Sequence, residues 1–174
     1  MKALVVYESI FGNTKTIAEA IARGLSASFE TALAEVASAP EDVGDIDLVV
    51  VGGPTHAFSM SRPTTRESGR HQAEEQGLDP VSDTIGIREW LNGAAGRSGT
   101  MAATFDTGAG KLGFISAGSA AKGADKRLDH LGFRMLADPQ QFLIQMVDGK
   151  TFLKDGEEAR AEAWGAELGR VAQQ

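Results

Sequence analysis

Cysteine is absent from the chain. That excludes disulfides, thiolate metal sites and thiol catalysis, and it fits a reducing compartment. Nowhere does an apolar run approach the roughly 20 residues needed to span a bilayer. The first apolar run begins at Ala3, which leaves no room ahead of it for a signal peptide, so the expectation is a cytoplasmic protein without membrane attachment. Basic residues are in the minority: 17 Lys and Arg against 24 Asp and Glu give a net charge of −7. That balance opposes general attraction to nucleic acid or to an anionic membrane, and it suits docking with a basic protein partner. Reactive clusters are missing too. No His, Asp and Glu residues fall at metal-ligating spacing, no Ser-His-Asp set can be assembled because the serines read as caps and turns, and no glycine stands five residues before a Gly-Lys-Ser/Thr. Accordingly no catalytic residue and no metal ligand is assigned, and His71 and His130 receive no role.

What is present is an alternation of short apolar runs with helical periodicity, free of internal repeats and low-complexity tracts. With 174 residues, 42% apolar and 24% charged, the chain is expected to form a single domain over 1–174 with a sizeable core. Strands are expected at 2–7, 30–36, 47–52, 99–105 and 142–147. Helices are expected at 13–25 (Ile17, Ala18, Ile21, Ala22 and Leu25 on one face), at 84–94 (Ile85, Ile87, Trp90, Leu91), and at 119–131 (Ala124, Leu128, Leu131) with Gly132 just past its end. A last helix opens at Asp155, with Glu158 completing a capping-box pattern, and carries Trp164, Leu168 and Val171 inward. Five near-continuous apolar strands alternating with helices imply an α/β fold: a doubly wound five-stranded parallel sheet covered on both faces. Residues 55–83 break the rhythm as a long polar loop, and loops of that length in compact folds are often functional. Arg62, Arg66 and Arg70 recur there every four residues. They read either as a basic face for an anion, partner or second subunit, or as a solvated stretch balanced by Glu67, Glu74 and Glu75.

The most informative segment is Tyr7 to Thr16. An apolar strand ends in a short polar loop that opens directly into an amphipathic helix. Such a turn leaves several backbone N–H groups free at the positive end of the helix dipole, a ready anion site. Ser9 and Thr14 add hydroxyls, and Gly12 lets the backbone approach closely. An ordinary helix cap is the plain alternative. Two further loops follow strands: Val50 to Phe58 (V-V-G-G-P-T-H-A-F) and Thr104 to Gly110 (T-F-D-T-G-A-G). The sequence Gly108 to Gly113 also fits G-x-G-x-x-G, but it follows the fourth strand, and Phe114-Ile115 separate it from the next helix, so a dinucleotide fingerprint is not assigned. A phospho-acceptor receiver is excluded because strand three ends in Gly52-Gly53 rather than in a carboxylate.

These three loops, in this order and spacing, together resemble the flavodoxin family, and the alternating pattern extends the likeness over nearly the whole chain. The resemblance implies strand order 2-1-3-4-5, which places the loops after strands 1, 3 and 4 side by side at a switch point. It implies FMN as cofactor. By the same resemblance Ser9, Ile10, Phe11, Gly12, Asn13 and Thr14 form the phosphate loop, with Phe11 standing where the family has a hydroxyl residue. Pro54, Thr55, His56, Ala57 and Phe58 form one ring loop; Phe105, Asp106, Thr107, Gly108 and Gly110 form the other, with Phe105 either at the ring or pointing into the core. Phe58 is either a stacking partner for the flavin or an aromatic buried under the long loop. His56 either touches the ring, by hydrogen bond or charge, or is a polar surface residue. No glycine stands between Gly53 and Gly69, where flavodoxins commonly use one whose peptide flips toward the reduced ring, so strong stabilisation of the one-electron-reduced flavin is not expected.

The expected function is electron transfer through bound FMN, with redox partner proteins such as a flavin- or NADPH-dependent reductase. Acidic surroundings of low dielectric would disfavour the anionic reduced flavin and lower its potential. An FMN-dependent NAD(P)H oxidoreductase acting on a quinone or other small acceptor is the alternative. A flavin-free binding or regulatory module is the third reading.

Overall fold

The computed structural model describes residues 1–82, 84–110 and 118–174. Five long strands, β1 (Lys2–Tyr7), β2 (Glu30–Glu35), β3 (Leu48–His56), β5 (Met101–Gly108) and β7 (Gln140–Val147), run parallel in the order β2-β1-β3-β5-β7. With the short strands set aside, this is the expected 2-1-3-4-5 arrangement. β8 (Lys150–Leu153) extends the sheet antiparallel to β7. Two-residue strands β4 (Ser59–Met60) and β6 (Arg134–Met135) pair with β3 and β5. The helices are α1 (Asn13–Leu25), α2 (Pro63–Glu75), α3 (Ile87–Gly93), α4 (Ala120–His130) and α5 (Glu157–Val171).

Both faces of the sheet are covered, and side-chain alternation sorts the strand residues between them. Val5, Val50, Ala103 and Phe105 join Ile17, Ile21 and Leu25 of α1 and Leu168 of α5 in one cluster. Leu4, Val49, Val51 and Ala102 join Trp90 and Leu91 of α3 and Leu128 of α4 in the other. Near-continuous apolar runs are what a strand buried on both sides requires. The α1–α5 crossing is close: a Cβ on Gly24 would lie 2.1 Å from the Glu162 carbonyl oxygen, and one on Gly165 would lie 2.3 Å from that of Ile21.

Several expectations need correction. Residues 55–82 are not a long loop: they contain β4 and the 13-residue helix α2. The buried face of α2 is Arg66, Gly69 and Ala73, so it lacks the large apolar residues that make helical periodicity visible. Arg66 is neither solvated nor part of a basic face; it is buried against Glu89. α5 starts at Glu157 behind Gly156 (φ 83°), not at an Asp155–Glu158 capping box. Leu131 is exposed rather than packed. β8 is an additional strand, announced in the sequence by Asp148-Gly149. Both residues have positive φ (50° and 75°) between the paired Val147 and Lys150, as a tight Asp-Gly hairpin turn demands. Phe114 and Ile115 lie outside the described residues.

Candidate functional site

The first loop is built by β1 running into α1. Gly12, with φ 91°, turns the chain into the helix without a side-chain cap. Among the described residues, the backbone N–H groups of Ile10, Phe11, Gly12, Asn13 and Thr14 have no protein acceptor. The loop is fixed from outside through its other groups. The Ser82 N–H donates to the Ser9 carbonyl (2.7 Å) and the Val81 N–H to that of Ile10 (3.3 Å), while the Ser9 N–H donates to Ser82 Oγ (2.9 Å). Holding a loop by its carbonyls leaves its donors available, which is the arrangement an anion site needs.

The three loops meet. Ser9, Ile10, Phe11, Asn13 and Thr14 line a cavity of about 140 Å³ together with Pro54, Thr55, His56 and Thr107. Thr14 Oγ1 and Thr107 Oγ1 lie 2.7 Å apart, tying the first loop to the end of β5. Two lining residues were not anticipated: Ile144 and Thr151, from the β7–β8 hairpin. Asn13 Nδ2 donates to the Thr151 carbonyl (3.2 Å) and lies 3.3 Å from its Oγ1. The Asp-Gly turn signal was the clue that could have brought Thr151 to this site.

A second cavity of about 170 Å³ adjoins the first through the shared residue Thr55. Ala57 and Phe58 line it from one side and Ala109 and Gly110 from the other, with Gln141 and Gly118. Thr55 Oγ1 accepts from the Ala120 N–H at the start of α4 (3.0 Å). A Cβ on Gly118 would lie 1.8 Å from the Phe58 carbonyl oxygen, so only glycine lets this backbone sit against the 57–58 turn. Phe58 is 62% exposed, so of its two expected placements the one buried under a loop does not hold.

Ala57 (φ 45°) and Phe58 (φ 68°) are the two central residues between the His56–Ser59 pair. Positive φ at both centres is the type I′ hairpin geometry, which favours Asn-Gly and penalises residues carrying Cβ. Strain of this kind is retained where a site constrains the backbone. Ala57→Gly is expected to stabilise the protein by up to about 1 kcal/mol, read as an increased urea midpoint.

Four anticipated residues line neither cavity. Phe105 is fully buried, its ring lying across Gly52 and packed edge-on against Phe142 (6.3 Å between centroids); strand alternation turns it into the core. Asp106, on the opposite face of β5, accepts from the Ser119 hydroxyl and from the Ala121 N–H, so it caps α4. Gly108 is buried beside Gln141 and Thr55, and Gly12 serves as the turn.

Beneath the cradle lies a buried polar network. Glu8, the residue before Ser9, accepts from the Ile87 N–H (3.0 Å). Arg66 of α2 donates to Ser61 Oγ (2.8 Å) and pairs with Glu89 (3.0 Å). Burial pushes the Glu8 carboxyl above its ordinary range, only partly offset by hydrogen bonds from Ser61 and Ile87 and by the Arg66 charge. For Glu89 burial pushes up as well, but the Arg66 hydrogen bond and the Gly86 N–H outweigh it and hold the carboxyl below its ordinary range. A Cβ on Gly86 would come within 2.6 Å of Glu8, Arg66 and Ser61 alike.

The sequence matches the family model described as Flavodoxin over residues 5–164. Among solved structures, a flavodoxin from the domain Archaea is 19% identical, with all of both chains covered and a TM-score of 0.65. Oxidised flavodoxin 1 from Bacillus cereus is 16% identical over 98% of each chain, with a TM-score of 0.66. A WrbA-like flavodoxin from Agrobacterium tumefaciens is 17% identical over 99% of this chain and 98% of its own, with a TM-score of 0.58. At these identities the structural likeness speaks to the fold. No curated protein matches the chain.

Proposed function

This chain belongs to the flavodoxin family, and on that premise we propose that the two adjoining cavities are the two ends of one FMN site. As a flavodoxin the protein binds FMN and transfers electrons. The observation that carries the site assignment is the row of five backbone donors without a protein acceptor, at residues 10–14, on the edge of a cavity that also carries the Ser9 and Thr14 hydroxyls. Groups of this chemistry fit a phosphate. Ala57, Phe58, Ala109 and Gly110 would then hold the isoalloxazine. Phe11 removes one hydroxyl from the cradle, and Thr151 supplies one from the hairpin.

Bound FMN supplies redox chemistry that no side chain here can provide; the protein supplies position, dielectric and electrostatics. Among the described residues, those lining the ring cavity include no acid or base. This supports an electron carrier working with redox partner proteins, a flavin- or NADPH-dependent reductase among them, rather than a dedicated enzyme. Among the described residues no helix is long and apolar enough to cross a membrane.

The expected behaviour is that of an electron carrier. Flavin-loaded protein mixed with NADPH alone is expected to keep its 450 nm absorbance, and to bleach once a flavoprotein reductase is added. Prompt bleaching by NADPH alone would instead mark an oxidoreductase. A purified protein that ignores added FMN would remove the flavin reading altogether.

A further inference from the structure

We propose that His56 is the cation of the phosphate cradle: its imidazole takes up a proton from solvent when a phosphate monoester dianion enters the first cavity, and so helps select a phosphorylated flavin. This rests on the FMN reading above. Among the described residues the cavity is lined by hydroxyls, one amide and apolar groups, with His56 as the one ionisable residue. A phosphate monoester carries about −1.5 to −2 charges near pH 7. The start of α1 offers only about half a positive charge. Among the described lining residues there is no lysine or arginine, so the imidazole is the side chain placed to offset the imbalance.

The ring is held in place for this. His56 is the last residue of β3 and pairs with Ser59 across the strained turn. A Cβ on Gly69 would lie 3.3 Å from His56 Cε1 and 3.5 Å from Ile10 Cγ2, so the ring borders α2 alongside Ile10 of the phosphate loop. The charged group facing it is Arg66 of α2; the phosphate loop and the β7–β8 hairpin contribute none to the cavity lining. Burial first, and then Arg66, push the imidazole below its ordinary range, against the pull of the Thr65 backbone. Burial thus favours the neutral imidazole in the free protein, whereas a nearby opposite charge favours the charged form.

The sign of the linkage is distinctive. A group whose pKa rises on binding strengthens binding fully below its free pKa and loses that contribution as pH rises through its bound pKa. Here that window opens below the ordinary histidine value near 6.5 and extends upward. The phosphate's own second ionisation, near pH 6, acts in the opposite sense, strengthening binding as pH rises.

The test is FMN affinity by flavin-fluorescence quenching from pH 6.5 to 9 at constant ionic strength. Riboflavin is titrated in parallel, and both ligands are repeated with His56→Gln. Wild-type FMN affinity is expected to fall with pH, by up to about tenfold for each unit by which binding raises the pKa. Riboflavin affinity stays flat. His56→Gln binds FMN several-fold more weakly at pH 6.5, meets the wild type near pH 9, and shows no decline between. A second readout is the proton NMR titration of the imidazole, assigned against the variant: its midpoint moves up with FMN and not with riboflavin. Equal pH trends in wild type and variant, or an imidazole midpoint that FMN leaves in place, would overturn the proposal while the FMN site stands. No FMN binding at any pH would take both readings down together.

Discussion

Arg66→Met is expected to destabilise the fold by about 3–5 kcal/mol at pH 7, the usual consequence of removing one partner from a buried ion pair. Methionine keeps much of the apolar stem but no donor. Ser61 Oγ then loses its guanidinium donor, Glu89 loses the hydrogen bond that holds its carboxyl down, and the attraction that partly offsets the burial of Glu8 disappears. Glu89 is partly exposed, with its side chain at 30%, and solvent there places the effect toward the lower end of the range. The depressed Glu89 carboxyl contributes stability above its unfolded value near 4.3 and loses it as pH falls through its folded value. The gap between wild type and variant therefore narrows near pH 4 and is widest at neutral pH. Urea unfolding at the two pH values measures both terms. An Arg66→Met protein as stable as wild type at pH 7 would mean that α2 is not anchored through this network.

Riboflavin is expected to bind at least about a hundredfold more weakly than FMN. The phosphate is the only group that distinguishes the two ligands at the cradle. Hydrogen bonds to charged groups are worth about 1.5–3 kcal/mol each. Two of the five unpaired N–H groups at residues 10–14 would supply roughly 3–6 kcal/mol, and each 1.4 kcal/mol is a factor of ten. Phe11 and Thr151 adjust this figure without changing its order. Fluorescence-quenching titrations of the flavin-free protein with each ligand give the ratio, and equal affinities would mean the start of α1 is not the anchor.

Most of the scaffold was legible because buried parallel strands and amphipathic helices write their periods openly. β1 and α1 match their expected limits, and the sheet order follows the resemblance. The phosphate loop was legible for a local reason: a strand–turn–helix leaves free N–H groups whatever surrounds it. What stayed hidden was set by tertiary contact. α2 buries an arginine, a glycine and an alanine, so no apolar stripe marks it. Phe105 reads as a plausible ring contact by position, but strand alternation turns it inward onto Gly52, and only the neighbouring strand shows why. Thr151 lies 138 residues from its partner Asn13 and reaches the cavity only because β8 folds back on β7. His56 was noticed as a residue but not for its place beside the cradle, because that depends on Gly69 of a helix the sequence did not reveal.

The most direct test of the account is amide chemical-shift mapping on uniformly ¹⁵N-labelled protein titrated with FMN. Large shifts are expected at residues 10–14, 55–58 and 107–110 together, with those at 10–14 much reduced when riboflavin replaces FMN. Shifts confined to another surface, such as the groove between Met60 and the Lys126–His130 face of α4, would contradict it.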